Sequence, residues 1–304
     1  TKNKQMDQQE FYQQIKSRFE TSFTFLSDKP EETMDSTIRA CWQTAAGMPM
    51  SAEEALKVPL PQLNKKQEDL LLQLISQRLE NKPLAHITGR QNFMGIELLC
   101  DERALIPRKE TEILGRKALE LSRELAIGKE TINVMDICCG SGNLGATVAK
   151  LNSKVHIQAA DLSEEAVALA RENVAFLHLE DRMSVVPSDL FKAFDQEDQY
   201  GKTELIICNP PYISSAKVSK MDGEISGHEP SLAFDGGMFG TKIIVKLISE
   251  APKFLVRGGW LIFEVGLGQG PFVLQLCERS DHYTSIDSLT DAQGNIRVIQ
   301  VRKK

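Results

Sequence analysis

The sequence predicts an α/β fold. It reads as a seven-stranded, Rossmann-like open sheet with a terminal antiparallel hairpin, preceded by a small helical domain. Three observations predict it. From Thr131 onward, short β-rich runs alternate with stretches of helical period. The first of those runs passes into Asp136-Ile137-Cys138-Cys139-Gly140-Ser141-Gly142-Asn143, a glycine-bearing turn that opens a helix. The last two runs, His282–Ser288 and Ile296–Arg302, are joined by Asp291-Ala292-Gln293-Gly294-Asn295, a hairpin connection.

The elements follow in order. Residues 7–82 carry helical signals: Phe11, Ile15 and Phe19 recur every fourth residue, and Leu70, Leu71, Leu74, Ile75 and Leu79 form a wider stripe. Pro49, Pro59 and Pro61 cut this half into short helices, and it holds no cluster of ligand-type side chains. We read residues 1–82 as a helical packing or docking domain. Residues 83–107 read as a linker with a β-hairpin, broken by Pro83, Gly89, Gly95 and Pro107. A helix then carries Leu114, Ala118, Leu121 and Leu125; Arg108 and Glu112 are either surface charges or lining of a cleft between the domains. Over 108–304, Ile132–Ile137, Val155–Ala160, Met183–Val186, Leu205–Cys208 and Trp260–Val265 read as strands. Helices are predicted near 143–152, 163–178 and 241–256, the second capped by Ser163 with Glu164 and Glu165 in its first turn.

Composition narrows the function classes. The 304 residues are 41% hydrophobic and 26% charged, ordinary for a soluble globular protein. A net charge of −6 argues against a broad phosphate-binding surface. There is no membrane-length apolar run, and the polar N-terminal stretch is not signal-like. The six cysteines have no CxxC spacing, several lie in apolar runs, and the five histidines are scattered. Reduced core thiols and a cytoplasmic protein are expected, with no metal site. Because the chain begins at Thr1, import into an organelle stays open.

Two stretches carry chemistry. Glycines after the first strand let the backbone approach a ligand, Asp161 ends the second strand where a carboxylate can accept ribose hydroxyls, and Ser188-Asp189-Leu190 ends the third where a base could be bracketed. Gly140, Gly142 and Gly145 formally match a dinucleotide fingerprint, so a nicotinamide-dependent oxidoreductase is one reading. Asp136 would sit badly beside a pyrophosphate and suits a cationic ligand such as S-adenosylmethionine, which with the terminal hairpin favours a methyltransferase. The second stretch is Asn209-Pro210-Pro211-Tyr212, at the end of the apolar run 204–208. Pro210 lacks an N–H, so carbonyls there can be aimed at an amine or amide without competing donors. Tyr212 adds a flat face with a polar tip that would cover the acceptor group. Alone, this corner reads equally as a strand-ending turn.

Together these segments resemble the HemK/PrmC family of protein-(glutamine-N5) methyltransferases. The resemblance runs from about Lys82 to the C-terminus and more loosely over the helical region. It is carried by Pro83-Leu84-Ala85-His86-Ile87-Thr88-Gly89, Leu105-Ile106-Pro107-Arg108, the glycine loop, Asn209–Ser214, Glu229-Pro230 with Asp235-Gly236-Gly237, and Gly258-Gly259-Trp260. The Asn-Pro-Pro-Tyr element is shared with nucleic-acid amino-methyltransferases and specifies acceptor chemistry rather than substrate. The resemblance implies that Asp136, Cys138, Cys139, Gly140, Ser141, Gly142, Asp161, Asp189, Leu190 and Asn209 hold S-adenosylmethionine. It also implies that Asn209, Pro210, Pro211 and Tyr212 hold the glutamine of a Gly-Gly-Gln loop in a class 1 peptide-chain release factor. A monomer is expected, with no stable nucleic-acid partner and no membrane. Glycine is usual in the family where Cys138 stands, tyrosine where His86 stands, and an acidic pair where Met238-Phe239 follow Gly237. Adenine- or cytosine-directed amino methylation and a non-catalytic binding module of the same fold are the alternatives.

Overall fold

The computed structural model describes residues 7–212 and 240–304. The Glu229-Pro230, Asp235-Gly236-Gly237 and Met238-Phe239 segments lie outside the described residues. The chain divides into two compact units, Thr1–Asp101 and Glu102–Lys304.

The first unit holds helices α1 (Gln8–Ser22), α2 (Met34–Ala45), α3 (Ala52–Ala55), α4 (Lys65–Leu79) and α5 (Leu84–Thr88), then the antiparallel pair β1 (Arg90–Phe93) and β2 (Ile96–Leu99). The hairpin thus belongs to this unit rather than to a separate connector. Its two turn residues, Met94 and Gly95, both have positive φ, the turn geometry that matches the twist of paired strands. Phe19, Ile38, Trp42, Leu71 and Ile75 form the core. Trp42 buries its ring and donates its indole N–H to the Pro61 carbonyl at 2.9 Å. Leu70, read as part of the apolar stripe, faces outward, because α4 buries the narrower face of Leu71, Leu74 and Ile75.

The second unit is a seven-stranded sheet in the order β5-β4-β3-β6-β7-β9-β8. The strands are β3 (Ile132–Ile137), β4 (Val155–Asp161), β5 (Met183–Pro187), β6 (Thr203–Cys208), β7 (Leu255–Glu264), β8 (Tyr283–Thr290) and β9 (Ile296–Lys303). β3 to β7 are parallel, and β9 runs antiparallel between β7 and β8. Helices α6 (Glu112–Leu125), α7 (Asn143–Leu151), α8 (Glu164–Phe176), α9 (Lys242–Phe254) and α10 (Gly270–Glu278) accompany it. The predicted sheet with its closing hairpin is therefore present. β7 begins five residues earlier than Trp260 and contains an irregularity, since Thr203 pairs with Leu255 but Leu205 with Trp260; Gly258, at φ 78°, takes up the slack.

Sheet order reverses between β3 and β6, and ligands of open α/β sheets sit outside the strand ends at such a point. β6 is the strand best fixed for that task. Leu205, Ile206, Ile207 and Cys208 have no exposure, and each large apolar side chain so buried contributes about 1.5–3 kcal/mol. Among the described residues, no helix is long and apolar enough to cross a membrane.

Candidate active site

β3 and β6 pair with Ile137 opposite Cys208, so the turn after β3 and the Asn-Pro-Pro-Tyr corner leave the sheet side by side. The turn descends through three residues of left-handed backbone: Cys138 at φ 59°, Gly140 at 54° and Gly142 at 78°. That conformation costs a residue with a side chain about 1–2 kcal/mol, so Cys138 is strained where the glycines are not. Cys138 packs against the core cluster that contains Cys208, and the two thiols face one another. The loop is tied down by Cys139 N–H to the Ala160 carbonyl at 2.9 Å and by the buried Asn173 amide to the Ser141 carbonyl at 3.0 Å.

The three glycines divide their work. A Cβ on Gly142 would meet Ala170 Cβ at 3.2 Å, and one on Gly145 would meet Asp136 Oδ2 at 2.9 Å, so both serve packing around α7. A Cβ on Gly140 would meet nothing within 4 Å, which makes it the open side of the loop.

Asp136 is turned away from that open side. It is fully buried, its Oδ2 accepts the Gly145 N–H at 2.8 Å, and its Oδ1 has no hydrogen-bond partner among the described residues. Burial pushes its carboxyl up to about 7, and the Gly145 N–H pulls the other way. Side chains alternate faces along a strand, so an acid one residue before Ile137 looks toward α7 and caps its first turn.

Beyond the strand ends lies a cavity of about 1000 Å³, counted out to its open mouth. Cys138, Cys139 and Gly140 line it from β3, Asp161, Leu162 and Ser163 from β4, Ser188, Asp189 and Leu190 from β5, and Asn209 and Pro211 from β6. Ser141, Gly142, Pro210 and Tyr212 are not among the lining residues. Asp161 Oδ2 accepts the Gly140 N–H at 2.8 Å and Oδ1 the Ser163 N–H at 2.9 Å. Burial raises its pKa while those N–H groups hold it down. The carboxylate therefore keeps acceptor capacity for a further donor. Leu190, at φ 49°, presents an apolar wall, and its turn is fixed by Ser188, whose hydroxyl donates to the Leu190 carbonyl at 2.9 Å. The Asp189 carboxylate is engaged by Lys246 at 3.0 Å. Arg103, Ala104, Leu105, Pro107, Arg108 and Thr111 also line the cavity, all from the second unit, whereas the sequence offers Arg108 only as a surface charge or as lining of a cleft between domains. An open glycine turn, a carboxylate with spare acceptor capacity and an apolar wall fit the loop, ribose and base of S-adenosylmethionine.

On the other side of the switch point, Tyr212 is half-buried and its hydroxyl donates to Glu264 Oε1 at 3.2 Å. Burial and that carboxylate push the phenol well up. Glu264 itself, at the end of β7, is raised to about 7 by burial. Arg297 on β9 lies 3.4 Å from Glu264 and 3.3 Å from Glu110. These partners were not read from the sequence. Their only local signal is a charged residue closing an otherwise apolar strand.

A family model described as the methyltransferase small domain matches residues 120–224. A protein named release factor glutamine methyltransferase from Rhodopirellula baltica is 31% identical over 76% of this chain and 77% of its own length. One of the same name from Thermodesulfovibrio yellowstonii is 32% identical over 80% of this chain and 84% of its own. Among solved structures, the hMettl16 catalytic domain in complex with the MAT2A 3'UTR hairpin 6 superposes with a TM-score of 0.51 at 15% identity. It covers 75% of this chain and 81% of that one, a likeness of fold.

Proposed function

Because this chain belongs to the release factor glutamine methyltransferase family, we propose that it methylates the side-chain amide nitrogen (N5) of the glutamine in the Gly-Gly-Gln motif of a class 1 peptide-chain release factor. S-adenosylmethionine, when bound, supplies an electrophilic methyl group on a sulfonium. The observation that carries the reading is the cavity itself, which takes Gly140 and Asp161 on one side of the switch point and Asn209 and Pro211 on the other.

The chain's own residues have three tasks. Cys138, Cys139 and Gly140 cradle the cofactor, Asp161 accepts from its ribose, and Asp189 and Leu190 flank its base. Asp136, Ser141 and Gly142 serve from behind, by holding the loop and the start of α7. Asn209 and the Pro210 carbonyl accept the two amide hydrogens of the glutamine and turn its nitrogen toward the methyl. An amide nitrogen is a poor nucleophile, so alignment does most of the work; aligned reactions gain on the order of 7–11 kcal/mol over free encounter. Positive charge developing on that nitrogen meets carbonyl dipoles already aimed at it. The amide proton leaves for water once the nitrogen–methyl bond forms, so no general base is required, and the leaving group is a neutral thioether, so no general acid is required. Tyr212 closes the corner. The helical domain is proposed to dock the release factor, with the enzyme acting as a cytoplasmic monomer.

The test is incubation with S-adenosylmethionine and a folded release factor, followed by mass spectrometry of the Gly-Gly-Gln peptide. One methyl on that glutamine is expected. Cofactor binding without any methyl on the release factor would overturn the substrate assignment.

A further inference from the structure

We infer that Glu264, Arg297 and Gln269 are positioning residues for methyl transfer: together they lock Tyr212 and thereby aim the Asn209–Pro210 acceptor pair. The inference rests on the reading of that corner as the glutamine site.

A carboxylate and a guanidinium that are both at most 5% exposed are an expensive way to fill space. An apolar group of similar volume is often as stable or more so. What the pair touches gives it a task. The Tyr212 hydroxyl and Arg297 Nη2 both approach Glu264 Oε1, at 3.2 and 3.4 Å, and the Thr111 hydroxyl faces the same carboxylate. Arg297 is held in turn by Glu110. The backbone of Tyr212 is held as firmly. Gln269 Nε2 donates to the Tyr212 carbonyl at 2.8 Å and to the Gly240 carbonyl at 3.1 Å, while its Oε1 accepts the Gly266 N–H at 2.8 Å. The ring lies close on Gly266, where a Cβ would come within 2.8 Å of Tyr212 Cδ2.

Tyr212 is thus fixed at its hydroxyl, its ring and its carbonyl by β7, β9 and the turn that follows β7. None of these three residues lines the cavity. Between Tyr212 and Asn209 stand two prolines with fixed φ, so a rotation of the tyrosine is passed to Asn209 with little slack. A corner held this way costs no reorganisation when the amide arrives.

The experiment compares wild type, Glu264→Gln, Tyr212→Phe and the double variant. Turnover per cofactor-binding site is measured on a release factor, and exchange of the backbone amides in the Cys208–Tyr212 peptide is followed by mass spectrometry. Misplacement on the ångström scale lowers rates by about 100-fold, so kcat is expected to fall by about that factor in each single variant. The Kd for S-adenosylmethionine and the KM for the release factor should hold within about twofold, and the double variant should be no worse than the singles, because both remove one contact. A role confined to stability would leave kcat per site unchanged. That result, or losses that multiply, would overturn the inference while leaving the proposed reaction intact. Should Glu264→Gln not fold, Tyr212→Phe alone decides by the same criterion. Should wild type methylate no release factor, the substrate reading fails, and amide exchange then decides the inference. Faster exchange in the variant corner supports it, and equal exchange overturns it.

Discussion

The two halves of the active site are built by opposite means. On the β3–β5 side the ligand surface is largely backbone: left-handed turns, N–H groups, and one carboxylate held by two of them. On the β6–β9 side, the proposed acceptor corner Asn209–Tyr212 leans through the Tyr212 hydroxyl on buried charges brought from β7 and β9. The difference teaches that binding a cofactor and aiming a nucleophile make different demands. A nucleotide-like ligand offers many groups, so a loop with the right path suffices. A single amide nitrogen offers one direction, and holding it takes side chains that cannot turn.

The largest effect should come from the acceptor side. Asn209→Ala is expected to lower kcat by about 10²–10³, the scale for loss of one preorganised polar contact, with cofactor affinity nearly unchanged in calorimetry. Equal loss of both would merge the two halves into one. Asp136 probes the backbone side through stability. Its carboxyl is raised from 3.8 to about 7 in the fold, so the native state holds a proton that the unfolded chain releases between those values. Stability contributed there is present below pH 4 and falls as pH rises toward 7, by an amount on the order of 4 kcal/mol. Asp136→Asn should match wild type at pH 4 and exceed it at pH 8 in urea unfolding. Glu264 adds a slope of the same sign that this variant retains. Asp161→Asn, which replaces an acceptor of two N–H groups by one with a competing donor, should weaken S-adenosylmethionine binding by about 10- to 100-fold, the worth of a charge-assisted contact, with kcat at saturation little changed. The smallest effect is Cys138→Gly. Relief of left-handed strain should raise stability by about 0.5–1 kcal/mol, read as a higher Tm, with cofactor affinity within about threefold of wild type. A large affinity change would mean that the thiol reaches into the cavity instead of toward Cys208.

The same division decides what the sequence discloses. Asp161, Leu190 and the Cys138–Gly142 turn follow strands whose period is visible in a dozen residues, and Asn209–Tyr212 is marked by its prolines. Sheet order, by contrast, is a long-range property. Nothing near Ile296–Lys303 says that this strand inserts between β7 and β8, so the meeting of Arg297 with Glu264 and Glu110 could not be read. Asp136 was misdirected for a smaller reason. Its place before the glycine turn was legible, but the face it takes depends on where α7 starts, and Gly145 sits under its carboxylate. The irregularity at Gly258 lengthens β7 past anything the apolar run beginning at Trp260 announces.

The position of β9 also imposes an order of events during synthesis. β3, β4, β5 and β6 all emerge well before Ile296–Lys303, and domains begin to fold as they leave the ribosome. Yet β3 to β9 belong to one sheet in one compact unit, and a domain folds as a unit, so Glu264 gains its guanidinium partner only when the last strand of the sheet is in place.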